Sequence, residues 1–449
     1  MESTDKLLTS VFGLPTFSYM NIIQIIPGSG GSFYCGNCLR DSKYVDAMRN
    51  LGHQVVKIPM YLPLFADEHD ITDIPIFYGA ISTYLKQVYP IFRKAPKWFD
   101  KLLNSKPMMK MAASMAGSTR AKGLEDMTIS MLLGEEGEQK EELDNMVNWI
   151  GDHCKPDIIH ISNALLLGLA KKLKEKTGVP ILCSLQDEDV WVDAMNPQFQ
   201  GKIWNLMHTK AQDLDAIIAV SNFFAETMKR KMNLSSEEVH TLYLGVDYKD
   251  YHYISTKEKP RNVGYISRMC HENGFDIVVD AFIELKKQKG FEDLKLIATG
   301  GSTGDDNKFI KEQKRKIKEN NLIDFFEILP EYEDEAQHEF YKQVLLVSVP
   351  VRIGEAFGMY LLESMASGVP VVQPALGAFP EITEISGGGV TYMPNSPEKL
   401  SETWAGLLTN PEKLKELSRA GYEGTKEKFN IHNHANEIIE LYEKLKNNK

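Results

Sequence analysis

Short apolar runs alternate with longer stretches of helical periodicity along almost the whole chain. Asn21–Ile26 and Gln54–Ile58 read as strands, and between them Asp41 is placed to cap a helix from Ser42 to about Asn50, with Gly52 as its stop. Asp157–Ile161, Val179–Leu185 and Ala216–Val220 read as further strands, with helices over Leu165–Lys176 and Asn222–Lys231. The pattern then restarts. Strands are predicted at Asn262–Ile266, Leu294–Thr299, Phe325–Leu329, Val344–Val349 and Val369–Val372, with helices at Phe275–Lys287 and about Gly358–Ser367. Strands that are apolar throughout and alternate with helices make parallel sheets, because each parallel crossover needs a long connection that covers a sheet face. Two such blocks joined near Asp247–Pro260 predict an α/β fold of two doubly wound, Rossmann-like domains. We expect an N-terminal domain over 20–255, a C-terminal domain over 256–430, and a last helix within 431–449 that crosses back to the first domain. Ligands of such sheets sit at the carboxyl ends of the strands, here in the cleft between the domains.

Two segments break the pattern. Residues 1–19 lack the apolar core of a signal peptide and read as a leader, appended or loosely held. Ile81–Leu133, rich in Met and aromatics and carrying Pro90, Pro96 and Pro107, reads as an irregular helical insertion in the first domain, at about 80–133. Between Ala80 and Gly123 it holds nine basic residues against the single acid Asp100. A basic amphipathic segment with Trp98 and Phe99 can lie on an anionic membrane surface, and it can equally be a cap whose apolar face is core. The cap is the preferred reading, and a peripheral contact at the inner membrane face through about 80–123 is the alternative.

Composition changes the picture only a little. The 449 residues are 43% apolar and 25% charged, which is ordinary for a globular chain of two or more domains. A net charge of −11 argues against general nucleic-acid binding. No apolar run approaches the roughly 18 residues of a membrane span. Five cysteines and no secretion signal point to a reducing cytoplasm.

The sharpest chemical signal is Gly354-Glu355-Ala356-Phe357-Gly358-Met359-Tyr360-Leu361-Leu362-Glu363. Glu355 falls in a loop and Glu363 about one turn inside the following helix. The helix start offers unpaired N–H groups and a positive dipole end, which suits a phosphate. A bidentate carboxylate is the natural acceptor for paired sugar hydroxyls, so Glu363 could grip a ribose and Glu355 a transferred sugar. On spacing alone, two solvated acids on an exposed helix fit equally well.

This stretch, followed by Ala366-Ser367-Gly368-Val369-Pro370-Val371-Val372, resembles the glutamate–seven–glutamate motif of glycosyltransferase family 4, retaining enzymes with the two-domain GT-B fold. Gly28–Gly31 resembles the family's glycine loop, Lys155-Pro156-Asp157-Ile158-Ile159-His160 its third strand, and Ala219-Val220-Ser221 and Gly245-Val246-Asp247 its end-of-domain signatures. Gly377 to Glu381 resembles its last loop, and the likeness runs over roughly residues 20–445.

The resemblance implies a metal-independent, retaining hexosyltransferase that uses a nucleotide-sugar co-substrate, UDP- or GDP-linked, and no cofactor. Glu355 would contact the donor sugar, Glu363 the ribose, and Arg268, in Gly264-Tyr265-Ile266-Ser267-Arg268, the diphosphate. A fixed cation there stabilises the charge that develops on the leaving phosphate. Gly30, Gly31, Phe357, Gly358 and Met359 complete the expected donor site. The acceptor, a glycan, a lipid-linked or a small molecule, would meet Arg40, Asp187 and Asp189. The sequence departs from the family twice. Asn273 stands where a lysine is usual after the arginine, so Arg352 or Lys308 would have to compensate. Gln186 stands where a histidine is frequent and cannot act as acid or base, which leaves the departing phosphate to take the acceptor's proton. Cys35 and Cys38 read as small residues shaping the glycine loop, with a redox dithiol as the alternative. A non-catalytic nucleotide-sugar-binding module and a sugar-nucleotide epimerase remain the alternative functions.

Overall fold

A computed structural model of the protein describes residues 18–27, 36–60, 121–330 and 334–448. Gly30, Gly31 and Cys35 lie outside these residues, as does the basic segment 80–123 up to residue 120.

Each strand expected from the apolar runs is present, and all pair in parallel. The first sheet contains β1 (Asn21–Ile26), β2 (Gln54–Pro59), β3 (Ile158–Ile161), β4 (Ile181–Ser184), β5 (Ala216–Ala219) and β6 (Val239–Thr241), in the order β2-β1-β3-β4-β5-β6. The second contains β7 (Val263–Ile266), β8 (Leu296–Thr299), β9 (Phe326–Ile328), β10 (Leu346–Val347), β11 (Val371–Pro374) and β12 (Gly389–Tyr392), in the order β12-β11-β10-β7-β8-β9. The edge strands β6 and β12 lacked a continuous apolar run and escaped the sequence reading, since an edge strand needs less burial than a central one.

The interior strands are buried on both faces, as their composition demanded: every residue of β3, β5, β7, β8 and β11 is buried. In each sheet the winding reverses at one place. Ile22 of β1 pairs with both Val55 of β2 and Ile158 of β3, and Val263 of β7 pairs with both Leu296 of β8 and Leu346 of β10. Successive strands therefore leave β1 and β7 in opposite directions. The crossovers on the two sides separate there and leave a crevice at the carboxyl ends of the strands.

Two local expectations need correction. The first helix spans Gly36–Asn50, so Asp41 lies inside it and is no cap. Its side chain is instead drawn into the interior by Arg40 and Ser162. The segment Leu165–Lys176 opens as a 3₁₀ turn over Ala164–Leu169 before the α-helix Ala170–Thr177, with Asn163 capping the turn through Leu165 N–H. Within the insertion, Glu125–Leu133 is a regular helix whose Ile129, Met131 and Leu132 are buried.

The helix Ile431–Asn447 lies against the first sheet. Lys446 Nζ sits 2.8 Å from Asp157 Oδ1, and buried Tyr442 bonds His160 Nδ1 through its hydroxyl. Ser184 Oγ engages the other ring nitrogen of His160 at 2.7 Å, and burial pushes this imidazole down to about 3. His160 is thus a neutral core group. It lines a small cavity of about 30 Å³ under the helix, together with Gln24, Arg40, Asp41 and Tyr442. No helix among the described residues is long and apolar enough to cross a membrane.

Candidate active site

After β10 the chain runs through an irregular segment to Gly358 and enters the buried helix Met359–Ala366. Two glycines let this segment lie against the loop after β11. Gly354 adopts φ +84°, and a Cβ there would stand 2.5 Å from Gly377 N, so the two backbones touch where no side chain fits. The Ala378 N–H then donates to the Glu355 carbonyl at 3.0 Å and fixes the loop. Glu355 is held half-buried at this crossing. Removal from water, and then the like charge of Asp187, pushes its carboxyl up to about 8. The buried Tyr360 hydroxyl lies beside it. A protonatable carboxyl next to a buried hydroxyl is an arrangement suited to a polar ligand. Phe357 and Met359 turn their side chains inward, Phe357 against the ring of Phe429.

Glu363 is almost wholly buried one turn into the helix. Gln337 Nε2 donates to its Oε2 at 2.7 Å, and the hydroxyls of Tyr251 and Tyr341 lie beside it. The two glutamates are therefore not solvated acids on an exposed helix face.

Arg268 leaves the end of β7, next to β10 at the reversal of the second sheet. Its Nε and Nη2 make a two-pronged pair with Asp306, at 2.8 and 2.9 Å, and Nη2 also reaches Thr303 Oγ1 at 3.2 Å. Asp306 in turn accepts from Thr303 N–H, so the loop after β8 presents the guanidinium in one orientation. Asp306 gave no sequence signal. Asn273 donates to Ser267 Oγ at 2.8 Å and ties the loop after Arg268 to its own start. Arg352 grips Asp276 with both terminal nitrogens, at 3.1 and 2.8 Å, and donates to the His271 carbonyl at 2.7 Å. The geometry thus gives Arg352 a structural task, clamping the loop after β7 to the loop after β10. Lys308 is exposed at the start of the helix Asn307–Glu319.

The first sheet supplies the opposite wall. Gln186 follows β4 and is buried, its Nε2 within 3.3 Å of Asp41 Oδ2. Asp41 also takes Arg40 at 2.8 Å and Ser162 at 2.8 Å, and burial raises its carboxyl. Arg40 is buried in this pair. The expected acceptor-side residues therefore separate: Arg40 points into the domain, while Asp187 and Asp189 stay partly accessible. Asp187 has left-handed backbone, φ 56° and ψ 28°, unusual for a residue with a side chain. Glu188, wholly buried and pushed up to about 7 by burial, secures the turn by accepting from Gln186 N–H at 2.7 Å and Ala164 N–H at 2.8 Å. Burial, then the neighbouring Asp187 charge, raises Asp189.

The loops after β4 and β5 reach the residue after Glu355. Ala356 N–H donates to Asp187 Oδ1 at 3.1 Å, and Ser221 Oγ donates to the Ala356 carbonyl at 2.7 Å. Nearby, Glu381 accepts from Asn222 N–H, Phe223 N–H and the Tyr243 hydroxyl at 2.9, 3.0 and 2.6 Å, a carboxylate set on the start of the helix Asn222–Met232. Sequence reasoning assigned no role to Ser221 or Glu381. Among the described residues, no group of His, Cys, Asp and Glu is arranged to hold a metal ion.

Comparison with known proteins agrees with this architecture. A model described as glycosyltransferase family 4 matches residues 141–250, and one described as glycosyl transferases group 1 matches residues 249–424. The lipopolysaccharide core biosynthesis mannosyltransferase LpsB of Rhizobium meliloti is 30% identical over 41% of this chain and 51% of its own length. The match thus spans about half of that relative. The MMP alpha-(1->4)-mannosyltransferase of Mycolicibacterium hassiacum is 23% identical over 64% of this chain and 70% of its own. Among solved structures, sucrose-phosphate synthase from Thermosynechococcus elongatus aligns with a TM-score of 0.67 at 16% identity, covering 96% of this chain and 100% of that one. Anabaena Alr3699/HepE in complex with UDP-glucose aligns with a TM-score of 0.63 at 17% identity, covering 94% and 100%. Consecutive matches to both family models, on two doubly wound sheets whose loops meet at the paired-glutamate segment, make this chain a member of the group 1, family 4 glycosyltransferases of GT-B fold.

Proposed function

We propose that this glycosyltransferase moves a hexosyl group, with retention at the anomeric carbon and without a metal, from a nucleoside-diphosphate sugar held by residues 256–430 to a carbohydrate or lipid-linked acceptor held by residues 20–255. The observation that carries the reading is the placing of Glu355. Its raised, half-buried carboxyl stands next to the residue that the loops after β4 and β5 reach, with Arg268 at the end of β7, the strand next to β10. In the proposed reaction the acceptor hydroxyl attacks from the face that the diphosphate leaves. The bond from the anomeric carbon to the phosphate oxygen breaks, the new glycosidic bond forms, and the departing phosphate takes the hydroxyl proton. Gln186 cannot take that proton, and its amide is directed toward Asp41. Arg268, oriented by Asp306, faces the negative charge that grows on the leaving group, and the start of the helix Met359–Ala366 adds a positive dipole end. Glu363 is the proposed ribose ligand, with Asn273 and Gly358 lining the diphosphate side.

The donor is read by the slow hydrolysis of a panel of nucleotide sugars. UDP-glucose and GDP-mannose head the panel, because HepE was crystallised with UDP-glucose and the two relatives above are mannosyltransferases. NMR of the product gives the anomeric configuration. Cleavage of one donor with retention and unchanged rate in chelator supports the proposal. Absence of hydrolysis and of nucleotide binding across the panel refutes it, and a large loss in chelator restored by Mn²⁺ or Mg²⁺ refutes the metal-free form.

A further inference from the structure

Ala356, the residue after Glu355, has both polar atoms of its backbone held by the other domain. Its N–H donates to Asp187 Oδ1 and its carbonyl accepts from Ser221 Oγ, bonds that join residues 169 and 135 positions apart. Each partner is itself fixed before it reaches across. Ser221 is buried at the start of the helix Asn222–Met232, where its oxygen also accepts from Phe224 N–H at 3.1 Å. Asp187 is kept in left-handed backbone next to a turn secured by the buried Glu188. On the far side the Glu355 loop is pinned by the Gly354–Gly377 contact and by Ala378 N–H.

Ala356 thus joins the two domains beside the Glu381 contacts, and it adjoins the carboxyl assigned to the donor sugar. From this geometry we infer that Asp187 and Ser221 are positioning residues: by gripping Ala356 they set where the Glu355 carboxyl stands relative to the acceptor domain. The inference rests on the reading of Glu355 given above. It also gives Asp187 a task other than the acceptor contact expected from sequence. A misplacement of a fraction of an ångström in a reacting group lowers turnover without weakening ground-state binding, because the main nucleotide contacts proposed above, Arg268 and Glu363, belong to other residues.

The test compares Asp187→Ala, Asp187→Asn and Ser221→Ala with the wild-type full chain. Three readings are taken: donor hydrolysis kinetics, nucleoside-diphosphate binding by calorimetry, and hydrogen exchange at the Ala356 amide. Loss of one cross-domain hydrogen bond should lower kcat about five- to tenfold in Asp187→Ala and Ser221→Ala, with donor KM and diphosphate affinity within about twofold of wild type. Asn keeps an acceptor oxygen at Asp187. Asp187→Asn should therefore retain protection of the Ala356 amide and recover most of kcat, while Asp187→Ala loses both. Wild-type kcat in both alanine variants overturns the inference, as does an Ala356 amide equally protected in Asp187→Ala. In either case the glycosyltransferase reading stands if the wild type cleaves a donor. A wild type that neither cleaves nor binds any donor instead overturns that reading, and the inference falls with it.

Discussion

Glu355 should make the folded protein less stable as the pH rises, and Glu355→Gln should remove that cost. The unfolded carboxyl titrates near 4.5, the folded one near 8. Below 4.5 both states are neutral. Between these values the folded protein keeps a proton that the unfolded chain has released, so stability falls as pH increases through the window. Above 8 the full penalty remains, since the native carboxylate is then charged in a poorly hydrated place beside Asp187. At about 1.4 kcal/mol per tenfold change in proton affinity, the whole displacement is worth about 4–5 kcal/mol. The side chain keeps part of its solvent contact, so a discounted figure of about 2–3 kcal/mol is the expectation. Glutamine is close to isosteric and cannot ionise. The variant should match wild type at pH 4.5 and exceed it above pH 8 by roughly 4–12 °C in melting temperature, taking the scaling for a domain of 150–250 residues. Thermal unfolding of both proteins from pH 4.5 to 9 measures the difference, in which other titrating groups cancel. A gap that does not change with pH, or one that favours wild type at high pH, would refute the reasoning. The same variant should have lost transfer, because an amide cannot offer the sugar the two oxygens of a carboxyl group. Stability gained where activity is lost marks a site kept for chemistry.

Four further outcomes follow from the site. Glu363→Ala should weaken nucleoside-diphosphate binding about 10- to 100-fold by calorimetry, through the loss of charged hydrogen bonds to a ribose, and unchanged affinity would remove Glu363 from that role. Arg268→Ala should lower turnover more than it raises donor KM in steady-state kinetics, since its charge matters most as the diphosphate departs; an effect confined to KM would make it a ground-state ligand. Asn273→Lys should tighten diphosphate binding. Arg352→Ala, losing the Asp276 pair and the His271 carbonyl, should cost roughly 1–3 kcal/mol in denaturant unfolding, equally with Asn or Lys at 273. A much smaller functional loss from Arg352→Ala in the lysine background would instead show Arg352 standing in for the missing cation.

The two halves of the molecule owe their legibility to different physics. Strand positions and their parallel pairing were written in the chain itself, because a strand covered on both faces must be apolar throughout, as Ile158–Ile161 and Val263–Ile266 are. The spacing of Glu355 and Glu363, and the place of Arg268 just past a strand, were equally local. Polar partnership was not. Asp306 on Arg268, Asp276 on Arg352 and Asp41 by Gln186 lie 38, 76 and 145 positions from the residues they fix. A carboxylate carries no periodic mark of the group it will meet. The same applies to the first helix, whose Asp41 looked like a cap because capping chemistry is local, while Arg40 and Ser162 claim it from the interior. Topology brings the ends of β4, β5, β7 and β10 to one junction. Only after that packing does the residue following Glu355 find Asp187 and Ser221, and only there does exclusion of water beside another carboxylate change what kind of acid Glu355 is.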